Sequence, residues 1–384
     1  MLKNSWGYRK WLAPALAVFT VGLASVGISS SPGASAATTG GQPPSLATAG
    51  KAAGLKLGTI KLPKKTVGYL RYVGASAGDQ RIYNGATAAF KVLGWKVITC
   101  DGQGTPTIIL QCGNTLLADR PNVIVENSIP VTYLATVIKK AKAEHIPIVN
   151  IGGTVPQQNE YSATYAPNDT LLGNAMSTWL GNKLASLPQG QRQIIDQTFI
   201  GTWATARVAA LNAHLNQYGE TILTSPQADG MNLVAGTQSQ MASLLTSYPT
   251  VKAIWITFDA AVQGAAQAVQ TAYAGKTFPN APLLVTFYAE LPTLSLIANG
   301  DVSATVEGAL EVWGWIAADQ LAQYFSHHAA LSKSTEPNYK GLGNYAKLTM
   351  VTQSNLPLTG QLVPPPVNYQ SYFKAKWKAQ FGRG

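Results

Sequence analysis

The sequence predicts an α/β protein of two lobes, each a parallel sheet with helices on both faces. Short apolar, β-branched runs alternate with stretches of helical periodicity from residue 66 onward, and the series stops and restarts near Asn168. The apolar runs are continuous, as strands buried on both faces require. In such sheets ligands sit beyond the carboxyl ends of the strands, so the loops that follow each strand hold the candidate functional residues.

The first lobe opens with Val67 to Val73, apolar and β-branched. Arg81 to Leu93 then places Ile82, Ala86, Ala89, Phe90 and Leu93 at helical spacing. Strands at Trp95 to Cys100, Val123 to Val125 and Ile146 to Ile151 alternate with helices at Thr107 to Ala118 and Val131 to Ala143. Asn168 and Asp169 are cap-type residues ahead of a helix from Leu171 to Leu187. The second series has strands at Gln193 to Phe199, Thr221 to Ser225, Ala253 to Thr257 and Leu283 to Phe287, separated by helices at Ala204 to Gln217, Gly236 to Ser247 and Ala260 to Tyr273. A helix (Leu291 to Ala298), a strand (Val302 to Val306) and a long helix (Leu310 to Phe325) are expected to return to the first sheet. His327 to Gly343 reads as a surface insertion, Leu348 to Thr352 and Gln361 to Val363 as late strands on the second lobe, and Pro364-Pro365-Pro366 as an extended exit. The expected division is 66–166 plus 289–326 for the first lobe and 167–288 plus 345–366 for the second, with 367–384 a basic tail. Several crossing strands would join the two Rossmann-like lobes.

A chain of 384 residues suffices for two such domains. Residues 1–36 read as a secretory signal peptide: Lys3, Arg9 and Lys10 precede an uncharged run from Trp11 to Ile28, and Ala34-Ser35-Ala36 offers a cleavage site. A membrane anchor is the competing reading, which Pro14 and several Gly and Ser residues weaken. Residues 37–64, rich in Ala, Gly, Thr, Pro and Lys, read as a linker. The protein is thus expected to be exported, periplasmic or extracellular, in association with the cell envelope.

The formal charge of +11 does not point to nucleic acid, because it lies at the ends. Of 28 basic residues, three lie in the signal segment, five between residues 51 and 65 and four after residue 373, which leaves 16 against 17 acidic residues in the body. Cys100 and Cys112 are the only cysteines, and a disulfide between them is expected if their Cα atoms come within about 7 Å. Two sulfurs with no histidine nearby make no metal site.

Several stretches in order resemble the type I periplasmic solute-binding proteins of sugar-importing ABC transporters, the ribose-binding type in particular. They are Asn84-Gly85-Ala86 leading to Phe90, Leu93 and Gly94-Trp95; Ile146-Pro147-Ile148-Val149; Asp169 with Gly173; Leu244-Leu245 with Tyr248-Pro249; Asp259 with Gly264-Ala265 and Ala268; and Asn299-Gly300 before Ala304-Thr305-Val306. The likeness covers about residues 66 to 366. The same body occurs in lactose-repressor-type transcription factors, whose DNA-binding head this sequence lacks. The resemblance implies two lobes that close by hinge motion on a small solute, and docking of a monomer to membrane permease subunits. A sensory module that presents its solute to a membrane receptor is the alternative.

Sugar-binding members grip hydroxyls with Asp, Asn, Arg and Gln at strand ends and sandwich the ring between aromatics. Aligned on the motifs above, this chain has Ser76, Gly78 and Asp79 after the first strand, Gly152-Gly153 in place of a frequent Asp-Arg pair, Phe258 before Asp259, Tyr288 in place of an Asp, and Glu307-Gly308 in place of a Gln. The candidate polar contacts are therefore Ser76, Asp79, Asn127, Asn150, Arg207, Asp259 and Glu307, and the candidate walls are Tyr72, Trp203, Phe258 and Tyr288. Fewer hydroxyl partners favour a less polar or aromatic-bearing solute over a bare pentose. Asp79 and Asp259 read equally as helix caps, Arg207 as a surface pair, and Trp313 and Trp315 as core. No enzyme or cofactor is expected. His145, His214, His327 and His328 fall in no nucleophile or metal pattern, and Glu307 and Glu311 flank a strand-to-helix junction that gives no reason to aim both into a cleft.

Overall fold

The computed structural model describes residues 60–153 and 160–384. The expected signal peptide, its cleavage site and the linker up to residue 59 lie outside the described residues. In the first lobe, β1 (Thr66–Arg71), β2 (Lys96–Asp101), β3 (Val123–Asn127), β4 (Ile148–Ile151) and β5 (Ala163–Tyr165) form one parallel sheet in the order β2-β1-β3-β4-β5. They are joined by α1 (Ala77–Leu93), α2 (Pro106–Ala118) and α3 (Val131–Ala143). Helix α1 starts where Ser76 accepts the Asp79 N–H and stops at Gly94 in the left-handed region, with the expected Ile82, Ala86, Ala89, Phe90 and Leu93 buried. The short β5 has too few residues to show a period in the sequence.

Helix α4 (Asp169–Leu184) leads into the second lobe, where β6 (Gln193–Gln197), β7 (Thr221–Thr224), β8 (Ala253–Ile256), β9 (Leu283–Phe287), β10 (Ala304–Glu307) and β11 (Thr349–Val351) make a sheet in the order β11-β10-β9-β8-β6-β7. Only β10 with β11 is antiparallel. Helices α5 (Thr202–Tyr218), α6 (Leu233–Ser247), α7 (Val262–Ala272) and α8 (Leu291–Asn299) connect its parallel strands. The strand expected to return to the first sheet is β10, and it stays in the second. The short α8 crossover sets it directly beside β9, with Val306 in register with Phe287.

Helix α9 (Val312–His327) crosses back to the first lobe and lies along α1. The approach is backbone to backbone: a Cβ on Gly85 would run into the Glu311 carbonyl, and one on Gly314 into Ala86. Trp313 and Trp315 are buried core, as expected.

Three further expectations are corrected. Gln361 to Val363 has no ladder partner, because three prolines follow and the segment runs as irregular chain. The surface insertion instead sends Leu331, Tyr339 and Leu342 into the main core. Most of the basic tail is a helix, α10 (Tyr369–Phe381), docked on α9. Trp377 stacks on Trp315 with centroids 5.4 Å apart and rings 4° from parallel. Buried Asp319 accepts from Lys376 Nζ at 2.6 Å and Trp377 Nε1 at 2.8 Å.

The Cys100–Cys112 disulfide ties β2 to α2, with Cα atoms 5.5 Å apart. Opening it by reduction should lower the unfolding free energy by no more than about 3 kcal/mol, read as an earlier urea midpoint. Trp377→Ala should cost about 3 to 5 kcal/mol in the same measurement, because it empties a closed aromatic stack and leaves Asp319 short of a donor.

Candidate functional site

The two sheets turn the carboxyl ends of their strands to a common seam. From the first lobe, the loop after β1 and the first turn of α1 bring Tyr72, Val73, Ser76, Gly78 and Asp79, the end of β3 brings Asn127 and Ser128, and the loop after β4 brings Gly152. From the second lobe come Trp203 and Arg207 on α5, Phe258 and Asp259 after β8, Tyr288 after β9, and Leu310 at the crossing to α9. Together with Ile82 these residues enclose a cavity of about 50 Å³. Gly152 has φ 83°, and a Cβ there would press on the Ile82 side chain, so the floor of the cavity requires glycine.

The walls are largely aromatic. Trp203 stacks on Phe199 (5.6 Å, 22°), and Phe258 lies 4.7 Å from Phe199 and 5.4 Å from Trp203. Tyr72 reaches over from the first lobe to 5.9 Å from Phe199 and donates through Oη to the Ile200 carbonyl at 3.0 Å. The lobes are therefore in contact at this wall. The indole N–H of Trp203, itself buried, has no acceptor among the described residues.

Arg207 is 1 % exposed and faces inward, not onto a surface as its helical position allowed. It donates to Asp169 Oδ1 from Nε (3.0 Å) and Nη2 (2.7 Å), to the Thr257 carbonyl (2.7 Å) and to Tyr288 Oη (2.9 Å). The faces of Trp203, Phe287 and Tyr288 surround its guanidinium at 4.5 to 4.8 Å. Tyr288 is held in the left-handed region (φ 64°), which an aromatic residue adopts only under constraint. Its N–H donates to Val306 O and its carbonyl accepts from Thr305 Oγ1. Burial, followed by the charge of Asp169, raises the Tyr288 phenol well above its ordinary value, so it stays neutral.

Asp79 borders the cavity, yet its carboxylate turns to the end of β1. It accepts from Arg71 Nε (2.5 Å) and from the Tyr72 and Val73 N–H groups (3.1 and 3.3 Å). Asp259 is buried, and desolvation raises its carboxyl to about 6 against the pull of Arg207.

Of the residues singled out from the sequence, Tyr72, Ser76, Asp79, Asn127, Trp203, Arg207, Phe258, Asp259 and Tyr288 meet at this cavity. Asn150 and Glu307 lie outside its lining. Asn150 fastens two loops of the first lobe, accepting the Ser128 N–H at 3.2 Å and donating to Gly153 O at 2.7 Å. Glu307 accepts the Ala289 and Ala309 N–H groups (2.7 and 2.8 Å) and two bonds from Arg81. Sequence reasoning missed Ser128, Ile82 and Leu310, which carry no chemistry to mark them. It also missed Arg81, hidden in an amphipathic helix.

A groove of about 1200 Å³ continues outward from the cavity, sharing Val73, Ser76 and Asp259 with it. One bank is first-lobe loop from Val73 to Gln80 and from Asp101 to Ile108, and the other is second-lobe chain around Gly230 to Gln238, Asp259 to Gln267 and Glu290 to Thr293.

Solved structures of solute-binding proteins share this architecture. A galactofuranose binding protein superposes with a TM-score of 0.65 at 17% identity, over 83% of this chain and 99% of its own. A 5-methylthioribose transporter solute binding protein from Thermotoga lettingae, in complex with 5-methylthioribose, gives 0.65 at 18% identity, over 76% and 88%. A glucose-galactose binding protein from Geobacillus stearothermophilus gives 0.66 at 16% identity, over 77% and 100%. No curated protein sequence matches the chain. The sequence itself matches the periplasmic binding protein domain from residue 67 to residue 329, a span that takes in both lobes and the first two crossings, and the chain belongs to that family.

Proposed function

We propose that the protein is the exported solute receptor of an ABC importer, closing its lobes on one small molecule and delivering it to membrane permease subunits. The observation that carries this reading is the strand-end cavity between two lobes, opening into a groove with one bank on each. The receptor acts as a monomer and needs no cofactor. Among the described residues no helix is long and apolar enough to cross a membrane.

The named neighbours bind sugars or a sugar derivative, and a sugar-like solute fits the family. The interior of this cleft favours one with fewer hydroxyls than a pentose, or one with an apolar or aromatic part. Arg207, Asp79 and Asn150 are committed to protein partners, and aromatic faces fill much of the wall. Each solute hydroxyl left without a partner would cost about 1 to 3 kcal/mol. The cavity of about 50 Å³ has room for about three or four waters, so a solute of sugar size enters only by parting the lobes or moving the aromatic wall.

A thermal-shift screen tests this reading. A solute at 100 times its dissociation constant adds about 2.7 kcal/mol of stability. Deoxy, thio-substituted or aromatic sugar derivatives should raise the melting temperature more than pentoses and hexoses do, and equal shifts from the plain sugars would refute the less-polar assignment. Trp203→Ala should weaken binding of the best solute at least about tenfold by calorimetry, about 1.4 kcal/mol, while the far-ultraviolet dichroism stays unchanged. Undiminished affinity would remove Trp203 from the wall.

A further inference from the structure

The seam also carries more buried negative charge than its cations can pair. Arg81, on α1 of the first lobe, donates through all five of its N–H groups: Nε and Nη2 to Glu311 (2.8 and 2.9 Å), Nη1 and Nη2 to Glu307 (3.2 and 3.0 Å), and Nη1 to Glu290 (3.0 Å). Glu311 immediately precedes α9, which packs on α1, so it moves with the first lobe. Glu307 ends β10 and Glu290 follows β9, so both belong to the second. Asp259 is a fourth carboxylate from the second lobe. A Cβ on Gly78 would lie 3.4 Å from Asp259 Oδ2 and 3.6 Å from Glu290 Oε1, which sets both against the first turn of α1. The neighbouring cations are already matched, Arg71 with Asp79 and Arg207 with Asp169.

The three partners of Arg81 share it unequally. Glu307 has two guanidinium bonds and two backbone N–H groups, and its carboxyl stays below the ordinary value despite burial. Glu311 has two guanidinium bonds and keeps 24 % of its side chain in water. Glu290 has one guanidinium bond and a side chain only 3 % exposed. A buried carboxylate with so little compensation does not hold its charge.

We infer that Glu290 is a proton-binding site of the interlobe seam, which takes up a proton as the lobes close on Arg81 and releases it as they part. It follows that acid favours capture and alkali favours release. The inference rests on reading the cleft as one that opens and closes. In the closed arrangement burial raises the Glu290 carboxyl to about 8, with Asp259 and Glu307 adding to the rise and Arg81 opposing it. With the lobes apart the side chain faces groove water and falls back toward about 4.3. A group with a higher pKa in the closed form favours closure fully below its open-form value and loses that effect as pH rises through its closed-form value. Glu290 therefore acts between about pH 4.3 and 8, and Asp259, raised to about 6, acts in the same direction only at lower pH.

The test needs no solute. Dyes attached at Lys139→Cys on α3 and Ser243→Cys on α6, both exposed and one on each lobe, report closure of the full, disulfide-bonded chain by single-molecule energy transfer. Between pH 6 and 8 the closed-to-open ratio should fall by up to about tenfold per pH unit. Glu290→Gln keeps the amide oxygen as an acceptor for Arg81 and has no charge to lose, so it should hold the low-pH ratio up to pH 8. A flat native profile, or the same slope in Glu290→Gln, overturns the inference. If closure follows pH in the native chain but not in the variant while no solute stabilises the protein, the proton site stands and the importer reading fails. If a solute binds and closure ignores pH, the importer reading stands and the proton site fails.

Discussion

The guanidinium of Arg81 ties both lobes together at the seam. Arg81 reaches segments that are far apart in sequence, and its position is fixed because Gly85, one turn further along α1, lets the backbone before α9 lie directly on the helix. Everything on the closed side of the molecule is referred to that contact: the end of β10, the start of α8 and the crossing to α9. Arginine suits the position because its fixed fork makes five bonds to three carboxylates, more than the three N–H groups of a lysine ammonium could donate. The remaining negative charge has no equivalent anchor, and this imbalance gives the seam a chemical state that changes with its geometry.

The cleft shows how one scaffold hosts different interiors. Its strand-end loops enclose the cavity, yet several polar groups there serve the protein itself. Arg207 looks from the sequence like a donor for a solute, but its bonds to Asp169, Thr257 and Tyr288 make it part of the wall. Tyr288 closes that arrangement by accepting from the guanidinium. Aromatic rings then cover what remains, so the second lobe presents flat apolar surface to the cavity.

The succession of strands and helices in each lobe and the loops that form the cleft were legible because continuous apolar strands and periodic helices are local signals. Tyr72, Trp203 and Phe258 could be placed at the seam from strand-end position together with the family resemblance. Side-chain direction was not legible. Asp79 and Glu307 follow strands as cleft residues should, but nearby N–H groups and arginines turn their carboxylates away from the cavity. Glu307 and Glu311 carry no sign in their spacing that one arginine, more than 200 residues earlier, brings them together. Sheet membership of β10 failed for a similar reason, since a strand's own residues do not say which edge it joins. The helix α10 was obscured by its lysines, whose charge masked Tyr372, Phe373 and Trp377 as a buried stripe.

The docking of α10 on α9 also sets an order of events. Trp315 and Asp319 are covered by Tyr369, Phe373, Lys376 and Trp377 of α10, so the interior of the first lobe is sealed by a segment that follows every strand in the sequence. A chain emerging from the ribosome would hold most of its sheet sequence in hand while still lacking the piece that seals it. Until α10 docks, the aromatic face of α9 around Trp315 and the carboxylate of Asp319 lack the cover that buries them in the finished fold.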